Sequence, residues 1–285
     1  MYTALFHRLL ELNPDGDAAV CPEMECPKQE IPTVSEWARQ NLKFEPDKIQ
    51  TSVLDHDAQR LILCCARQWG KTTIVAVKAL HTAVFNPGTG IVVISKSIKQ
   101  ASLLLNKVCQ SAAILGFPRK RVLGYENSLH LPNGSKIFAV ANSEKSSRGY
   151  TANIVIVDEA ALIEDDVIGS AGPTLSRTGG KLWLLSTPHG QTGLFYHVWH
   201  DRNLSDWFKV KATIEDSAYA TPAFIDEQKR LFPFNFRQDF YCEFMPAKGS
   251  LLSRERIEQM IDPTIEHIPF PRLYKDPNRE PNGAG

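Results

Sequence analysis

The sequence has no excess of charge of either sign, because 32 lysines and arginines balance 32 aspartates and glutamates in 285 residues. A neutral chain has no long-range field to draw in a polyanion, so any nucleic-acid or polyphosphate site must be local. The sequence also lacks an apolar run of the about 20 residues that span a bilayer, and its first residues lack the basic flank and cleavage site of a secretory signal. We therefore expect a cytosolic protein without membrane association.

Cysteine is scarce, with six residues, and their placement favours neither disulfides nor zinc. Cys21 and Cys26 have hairpin-like spacing, but no second Cys or His pair follows nearby, so we predict no zinc site. The others are predicted to be small buried thiols in a core strand or in helical patterns: Cys64, Cys65, Cys109 and Cys242.

What the sequence does contain is a strand-loop-helix pattern at residues 61–73, LILCCARQWGKTT. Its unbroken apolar run is typical of a strand buried on both faces, and a helical pattern begins after Gly70. In this arrangement, loop amides and the positive end of the helix dipole hold a polyphosphate. Lys71 would then reach the β- and γ-phosphates, and the hydroxyl of Thr72 would ligate Mg²⁺.

The match to the phosphate-loop pattern G-x-x-x-x-G-K-[ST] is incomplete. Cys65 stands where the first glycine belongs, and Arg67 lies inside the loop. The alternative interpretation is a basic turn after a core strand. The rest of the chain has to decide between the two.

Two acidic residues, Asp158 and Glu159, follow a second apolar run at residues 154–157. Carboxylates at the end of a buried strand are costly unless a cation meets them, and a Mg²⁺-nucleotide is the economical partner. Asp158 would hold the metal through water, and Glu159 would orient and deprotonate the attacking water. The alternative is that Asp158 caps a helix at the strand end.

Further apolar strands are predicted at residues 90–95, 181–185 and 207–213, and they alternate with helical patterns. This alternation predicts an α/β fold: a mainly parallel sheet with helices on both faces and its ligands beyond the carboxyl ends of the strands. Ser186 and Thr187 follow their strand at that edge, where hydroxyls can sense a γ-phosphate or form an ordinary turn. The extra strand at 90–95 fits the P-loop NTPases of the ASCE or RecA-like type, whose catalytic glutamate follows the metal aspartate.

Sequence patterns typical of helices and of a hairpin lie between and around these strands. Thr33 and Glu36 form a capping-box signature, and residues 128–141 alternate around a turn at Asn133-Gly134, which indicates a β-hairpin. A helix is predicted at residues 98–115 with these residues on its inner side: Leu103, Leu104, Leu105 and Val108. After Thr221-Pro222 a helical region carries aromatics that we interpret as core packing: Phe224, Phe232, Phe236, Phe240, Tyr241 and Phe244.

Basic residues cluster along and after the helix predicted at 98–115. A solvated face and a contact with a phosphate backbone both remain open for them. The cluster consists of Lys96, Lys99, Lys107, Arg119, Lys120 and Arg121.

Taken in order, these motifs resemble the ATPase half of the large terminases of tailed bacteriophages and prophages, the motors that drive DNA into a preformed capsid. The resemblance covers residues 44–244. It rests on a glutamine motif ending at Gln50, a variant Walker A at 66–72 with an internal arginine, the hairpin at 131–135, an arginine loop at 147–150, a Walker B strand at 154–160, a coupling motif at 185–188 and a closing segment at 238–244.

The resemblance implies roles for named residues. Glu159, Lys71 and Arg67 would be catalytic, and Arg148 would act as an arginine finger on a neighbouring subunit's nucleotide. Thr72 and Asp158 would hold Mg²⁺, while Ser186 and Thr187 would couple hydrolysis to movement. ATP would be bound by Gln50, Arg67, Gln68, Trp69, Gly70, Lys71, Thr72 and Thr73.

The resemblance also implies a domain plan and partners. We expect an arm and short helix at 1–43, the P-loop ATPase domain at 44–245 and a linker or tail at 246–285. The family's nuclease half is expected to be absent, since the acidic residues of the tail have no strand to carry them: Asp262, Glu266, Asp276 and Glu280.

Expected partners are double-stranded DNA, a portal protein and a small terminase subunit, in the cytoplasm of the bacterial host. The chain would be a monomer alone and a homo-oligomeric ring when assembled. The alternatives are a superfamily 2 helicase-like fragment and a nucleotide-binding scaffold that does not hydrolyse.

Overall fold

The computed structural model describes residues 31–119, 126–142, 152–217, 220–246 and 259–260. The chain divides into two compact units, Met1–Met245 and Pro246–Gly285. The N-terminal arm up to residue 30, the loop that contains Arg148 and the acidic residues predicted for the tail lie outside the described residues. None of the described helices is both long and apolar enough to cross a membrane.

The first unit contains a seven-stranded sheet. Its strands are β1 (Arg60–Cys65), β2 (Gly90–Ser95), β3 (Ser128–His130), β4 (Lys136–Ala141), β5 (Ile154–Asp158), β6 (Lys181–Ser186) and β7 (Trp207–Ala212). They lie in the order β3-β4-β2-β5-β6-β1-β7. All neighbours are parallel except β3 and β4, which form the predicted antiparallel hairpin.

Helices cover both faces of this sheet. They are α1 (Val34–Leu42), α2 (Lys48–Asp55), α3 (Lys71–Phe85), α4 (Ile98–Ile114), α5 (Asp165–Gly169), α6 (Ala171–Thr178), α7 (Gly193–His200), α8 (Pro222–Leu231) and α9 (Pro233–Tyr241), with short 3-10 turns at Ala160–Leu162 and Ile214–Asp216. Successive side chains of β1 alternate between two core clusters, Leu61 and Leu63 in one and Ile62 and Cys64 in the other. The predicted fold class, a mainly parallel sheet buried on both faces, is therefore confirmed.

The position of β6 determines which residues meet at the site. β6 lies between β1 and β5, whereas β2, the extra strand in sequence, lies on the far side of β5. The register pairs Cys64 with Ser186 and Asp158 with Leu185. The carboxyl ends of β1, β6 and β5 are thus level with one another, and the residues that follow them converge.

Two predictions of burial were wrong. Leu103 is 58% exposed, because the inner face of α4 follows the helical period through Leu104, Leu105 and Val108, and three consecutive leucines cannot all face one side. Phe232 is 52% exposed at the corner where α8 meets α9, although Phe236 and Phe240 are buried as predicted.

Candidate functional site

The loop between β1 and α3 has the backbone of a phosphate-binding turn. Gly70 precedes α3 with a φ of 105°, and a Cβ there would lie 3.4 Å from Nε2 of Gln50. Gln68 also has a positive φ, 64°, which is uncommon for a residue with a side chain. No side chain caps the first turn of α3, so no side chain competes with a ligand for the amide groups at its N-terminus.

Lys71, the first residue of α3, forms an ion pair with Glu159. Its Nζ donates a hydrogen bond of 2.8 Å to Oε1 of Glu159, although the two residues are far apart in the chain. Burial by itself would lower the pKa of Lys71, but the carboxylates of Glu159 and Asp158 raise it above its ordinary value. The two acidic residues therefore do lie within reach of the phosphate-loop lysine.

Asp158 is the buried member of the acidic pair, with 6% of its surface exposed. Burial raises its pKa to about 6, against the opposing effect of the Lys71 ammonium. A carboxylate desolvated to this degree is stabilised in its charged form by a cation.

The oxygen donors of Asp158 and of Thr72, which follows Lys71 in α3, suit Mg²⁺, a hard ion that uses few protein ligands beside substrate phosphates. Among the described residues, no group of three or more His, Cys, Asp or Glu side chains could hold a metal by itself. The residues present therefore fit a Mg²⁺ that is shared with a bound phosphate.

Glu159 has a strained backbone, with φ 56° and ψ 43°. The left-handed region costs a residue with a side chain on the order of 1–3 kcal/mol, and such residues cluster at functional sites. Glu159 begins the 3-10 turn Ala160–Leu162, so the strain lies where β5 ends and its chain turns across the sheet edge.

Ser186 and Thr187 tie this turn to the phosphate loop through buried hydroxyls. Oγ of Ser186 accepts a hydrogen bond from N of Ala161 at 3.2 Å and donates one to the carbonyl of Thr187 at 2.7 Å. Oγ1 of Thr187 donates to the carbonyl of Cys65, the last residue of β1, at 3.1 Å. A movement of the turn after Glu159 would therefore reach β1 through β6.

A cavity of about 330 Å³ lies at this edge of the sheet. Arg67, Gln68, Lys71, Glu159 and Thr187 were predicted from the sequence, and the cavity brings them together. Three of the remaining lining residues belong to predicted motifs, Pro188 to the coupling motif and Gln238 and Asp239 to the closing segment. No sequence pattern pointed to the other three: Gln100, Leu162 and His189.

Arg67 is held by one of the residues that sequence reasoning missed. Its Nε lies 3.3 Å from Oδ2 of Asp239 in α9, and its backbone N–H donates to the carbonyl of Asp239 at 2.9 Å. Only the predicted closing segment at 238–244 pointed to this region. The loop arginine therefore belongs to the pocket but has an acidic partner in the structure.

Gln50 and Trp69 anchor the phosphate loop to the rest of the domain. Oε1 of Gln50 accepts from N of Asp47 at 3.1 Å, and its Nε2 donates to the carbonyl of Trp69 at 3.3 Å. The side chain of Trp69 is 2% exposed and packs in the core. A contribution of Trp69 to ligand binding would thus come from its backbone.

Comparison with known proteins identifies the family and the fold of the chain. A family model described as "Terminase large subunit, T4likevirus-type, N-terminal" matches residues 62–259. The terminase large subunit of Thermus phage G20c is 29% identical over 169 residues, which are 52% of this chain and 35% of that protein. The match thus spans about a third of that relative's length.

Solved structures show the same fold. The large terminase ATPase domain of Thermus phage P74-26 superposes with a TM-score of 0.63 and 22% identity, over 75% of this chain and 99% of that chain. A large terminase from a thermophilic bacteriophage, solved in complex with ADP, has a TM-score of 0.59 and 18% identity, over 75% of this chain and 52% of that chain.

Proposed function

Since this chain belongs to the T4-like family of terminase large subunits, we propose that it is the ATPase motor of viral DNA packaging. It hydrolyses ATP with Mg²⁺ to move double-stranded DNA into a procapsid. The observation that carries the proposal is the 2.8 Å contact between Lys71 and Glu159 at the carboxyl edge of the sheet. That contact places a phosphate-binding cation beside a carboxylate able to accept a proton from water.

The ion pair suggests how binding and chemistry are linked. Lys71 and the first-turn amides of α3 bind the phosphates, with Arg67 assisting. The incoming phosphate competes with Glu159 for the Lys71 ammonium. Its binding releases the Glu159 carboxylate, which then orients a water molecule and accepts its proton as the water oxygen attacks the γ-phosphorus. The bond between the γ-phosphorus and the β,γ-bridging oxygen breaks in the same step, and ADP leaves. Thr72 and Asp158 would hold Mg²⁺, which when bound neutralises charge on the phosphates.

Coupling uses the buried hydroxyls of Ser186 and Thr187. Loss of the γ-phosphate returns Glu159 to Lys71, and the hydrogen bond from Ala161 to Ser186 carries that shift into β6. Further along the same segment, Nε2 of Gln191 donates to the carbonyl of Phe244 at 3.0 Å, at the end of the first unit. This path connects the nucleotide to the chain that leaves the ATPase unit.

Assembly supplies the remaining parts of the motor. Arg148 acts on the nucleotide of a neighbouring subunit in a ring, where a planar cationic fork suits the transferring phosphoryl group. Lysines and arginines grip the DNA backbone without reading its sequence, so salt weakens the grip. Portal protein and small terminase subunit are the partners, in the cytoplasm of the bacterial host, and the isolated chain is a monomer.

Glu159→Gln tests the proposal against the remaining alternative, a scaffold that binds nucleotide without hydrolysing it. We expect ATP binding to survive while DNA-stimulated turnover falls by roughly 10² or more. Glu164→Gln is the matched control, because Glu164 is an exposed carboxylate five residues further on that does not line the Lys71 cavity. Wild-type protein without turnover, or equal turnover in Glu159→Gln and wild type, would contradict the proposal.

A second measurement tests Arg148. If the finger acts between subunits, turnover per subunit rises with protein concentration, and Arg148→Ala abolishes that rise. Turnover per subunit that stays constant as assemblies form would argue against a finger in trans.

A further inference from the structure

Ser95 is a buried residue with an unused hydroxyl at the carboxyl edge of the sheet. It is the last residue of β2 and has 0% of its surface exposed. Within the part of the chain that the structure describes, its Oγ has no hydrogen-bond partner. Such a hydroxyl has lost its hydrogen bonds to water without gaining any from the protein, and it therefore requires an explanation.

The buried hydroxyls at the end of β6 differ from that of Ser95. The side chains of Ser186 and Thr187 are buried as well, but each forms a hydrogen bond. The main chain of Ser95 is also paired, because its carbonyl accepts from N of Asn142 at 2.9 Å. Ser95 is thus fixed in place by its backbone, while its side chain keeps an unpaired hydroxyl.

The register of the sheet places Ser95 beside Asp158. β2 and β5 pair in parallel up to Ile94 with Val157, so the next pair along the two strands is Ser95 with Asp158, the last residue of each. Neighbouring strands lie about 4.8 Å apart, and paired residues point to the same face of the sheet. One water molecule can therefore bridge the hydroxyl of Ser95 and the carboxylate of Asp158.

The face on which these two side chains lie is the one that α3 covers. Val93 and Ile156, each two residues before the end of its strand, lie in the same core cluster as Ile74 of α3. Because side chains alternate along a strand, Ser95 and Asp158 point to this same face. The unused hydroxyl is therefore on the side of the sheet that carries the groups assigned to Mg²⁺.

The chemistry of Mg²⁺ supplies a partner for this hydroxyl. Mg²⁺ usually keeps several of its water molecules and takes few ligands from the protein. Groups that hydrogen-bond to the ligands of a metal orient them and raise the affinity for the metal. The oxygen of a serine beside a metal-binding carboxylate can accept a hydrogen bond from such a water molecule.

We propose that Ser95 is a positioning residue of the magnesium site. Its hydroxyl holds, together with Asp158, a water molecule that is bound to Mg²⁺. This inference rests on the proposed function, because Mg²⁺ enters the site with the nucleotide phosphates. It gives β2 a part in the site, although none of the residues of this strand, all of which the structure describes, lines the Lys71 cavity.

The test separates the metal from the nucleotide. Calorimetric titration of the full chain with ADP, once with Mg²⁺ and once with a chelator, gives the factor by which Mg²⁺ tightens ADP binding. Ser95→Ala is expected to reduce that factor about tenfold, a usual effect of removing a second partner of a metal ligand, and to leave the metal-free affinity unchanged. Asp158→Asn should reduce the factor further, and adding Ser95→Ala to it should change nothing more, because both residues act through the same water.

A second measurement distinguishes this role from a structural one. Ser95→Ala removes a hydroxyl without a partner, so the nucleotide-free protein should unfold at the same denaturant concentration as wild type or at a higher one. Ser135→Ala is the matched control, since Ser135 is also 0% exposed but its Oγ accepts from N of Thr89 and donates to the carbonyl of Asn86. It should lower the denaturation midpoint and leave the effect of Mg²⁺ on ADP binding unchanged.

Ser95→Cys keeps the size of the side chain and offers only a weak acceptor, so it repeats the measurement if Ser95→Ala folds poorly. An equal effect of Mg²⁺ in wild type and in both Ser95 variants overturns the role of Ser95 alone. A denaturation midpoint that falls in Ser95→Ala as far as in Ser135→Ala overturns it as well, in favour of a structural hydroxyl.

The wild-type titrations test what the inference rests on. ADP affinity that does not respond to Mg²⁺ overturns the magnesium site and the role of Ser95 with it. Wild-type protein that does not bind ADP under either condition overturns the proposed function as well.

Discussion

The ion pair between Lys71 and Glu159 predicts that Glu159 opposes phosphate binding, because both compete for the Lys71 ammonium. Glu159→Gln removes a negative charge 2.8 Å from the Lys71 ammonium and keeps the size of the side chain. A hydrogen bond to a charged group contributes a net of about 1.5–3 kcal/mol and a neutral one about 1 kcal/mol. The variant should therefore bind ADP more tightly by about 0.5–2 kcal/mol, or roughly 2-fold to 30-fold.

ADP is the ligand of choice for this measurement because no turnover complicates its titration. Calorimetry on wild type, Glu159→Gln and the exposed-site control Glu164→Gln gives the comparison directly. The control should match wild type, because Glu164 does not line the cavity that contains Lys71. ADP affinity that is equal or weaker in a folded Glu159→Gln protein would refute the idea that Glu159 competes with phosphate for Lys71.

Three further predictions follow from buried groups. Thr187→Val removes the 3.1 Å hydrogen bond to the carbonyl of Cys65. The change should lower the free energy of unfolding by about 1–3 kcal/mol, measured by denaturant titration. An unchanged free energy of unfolding would show that the bond is dispensable. Burial lowers the pKa of His81 to about 4. The stability that comes from keeping His81 neutral is therefore complete above about pH 6.5 and is lost as pH falls toward 4, by up to about 3 kcal/mol. His81→Phe should make the free energy of unfolding less dependent on pH between 6.5 and 4, and an equally steep dependence would point to other groups. Leu104→Ala should destabilise by about 2–5 kcal/mol and Leu103→Ala by less than about 0.5, and equal losses would contradict the assigned inner face of α4.

The sequence alone was sufficient for the strands of the site and their shared edge, but not for the helices α5, α6 and α7. Unbroken apolar runs predicted β1, β5 and β6, and the polar residues that follow them had to meet once the sheet was parallel, because parallel strands share a carboxyl edge. Lys71, Glu159 and Thr187 could be placed in one cavity on that reasoning. The fold class followed from the same local patterns.

Local patterns did not determine the side of a helix or corner on which each apolar residue lies. Three consecutive leucines in α4 carry no period of their own, and the exposure of Leu103 depends on where α4 docks. Phe232 looks like any core aromatic in sequence, and only the meeting of α8 and α9 leaves it exposed.

The tertiary structure alone decided the partners within the site. The insertion of β6 between β1 and β5, the ion pair of Lys71 with Glu159 and the contact of Arg67 with Asp239 each join segments far apart in the chain. The neighbours of a residue in sequence determine its backbone preference and the periodic pattern of buried positions. They do not determine which distant segment packs against it. Those pairings arise only when the sheet order is complete, since strand register then sets which side chains stand within hydrogen-bonding distance.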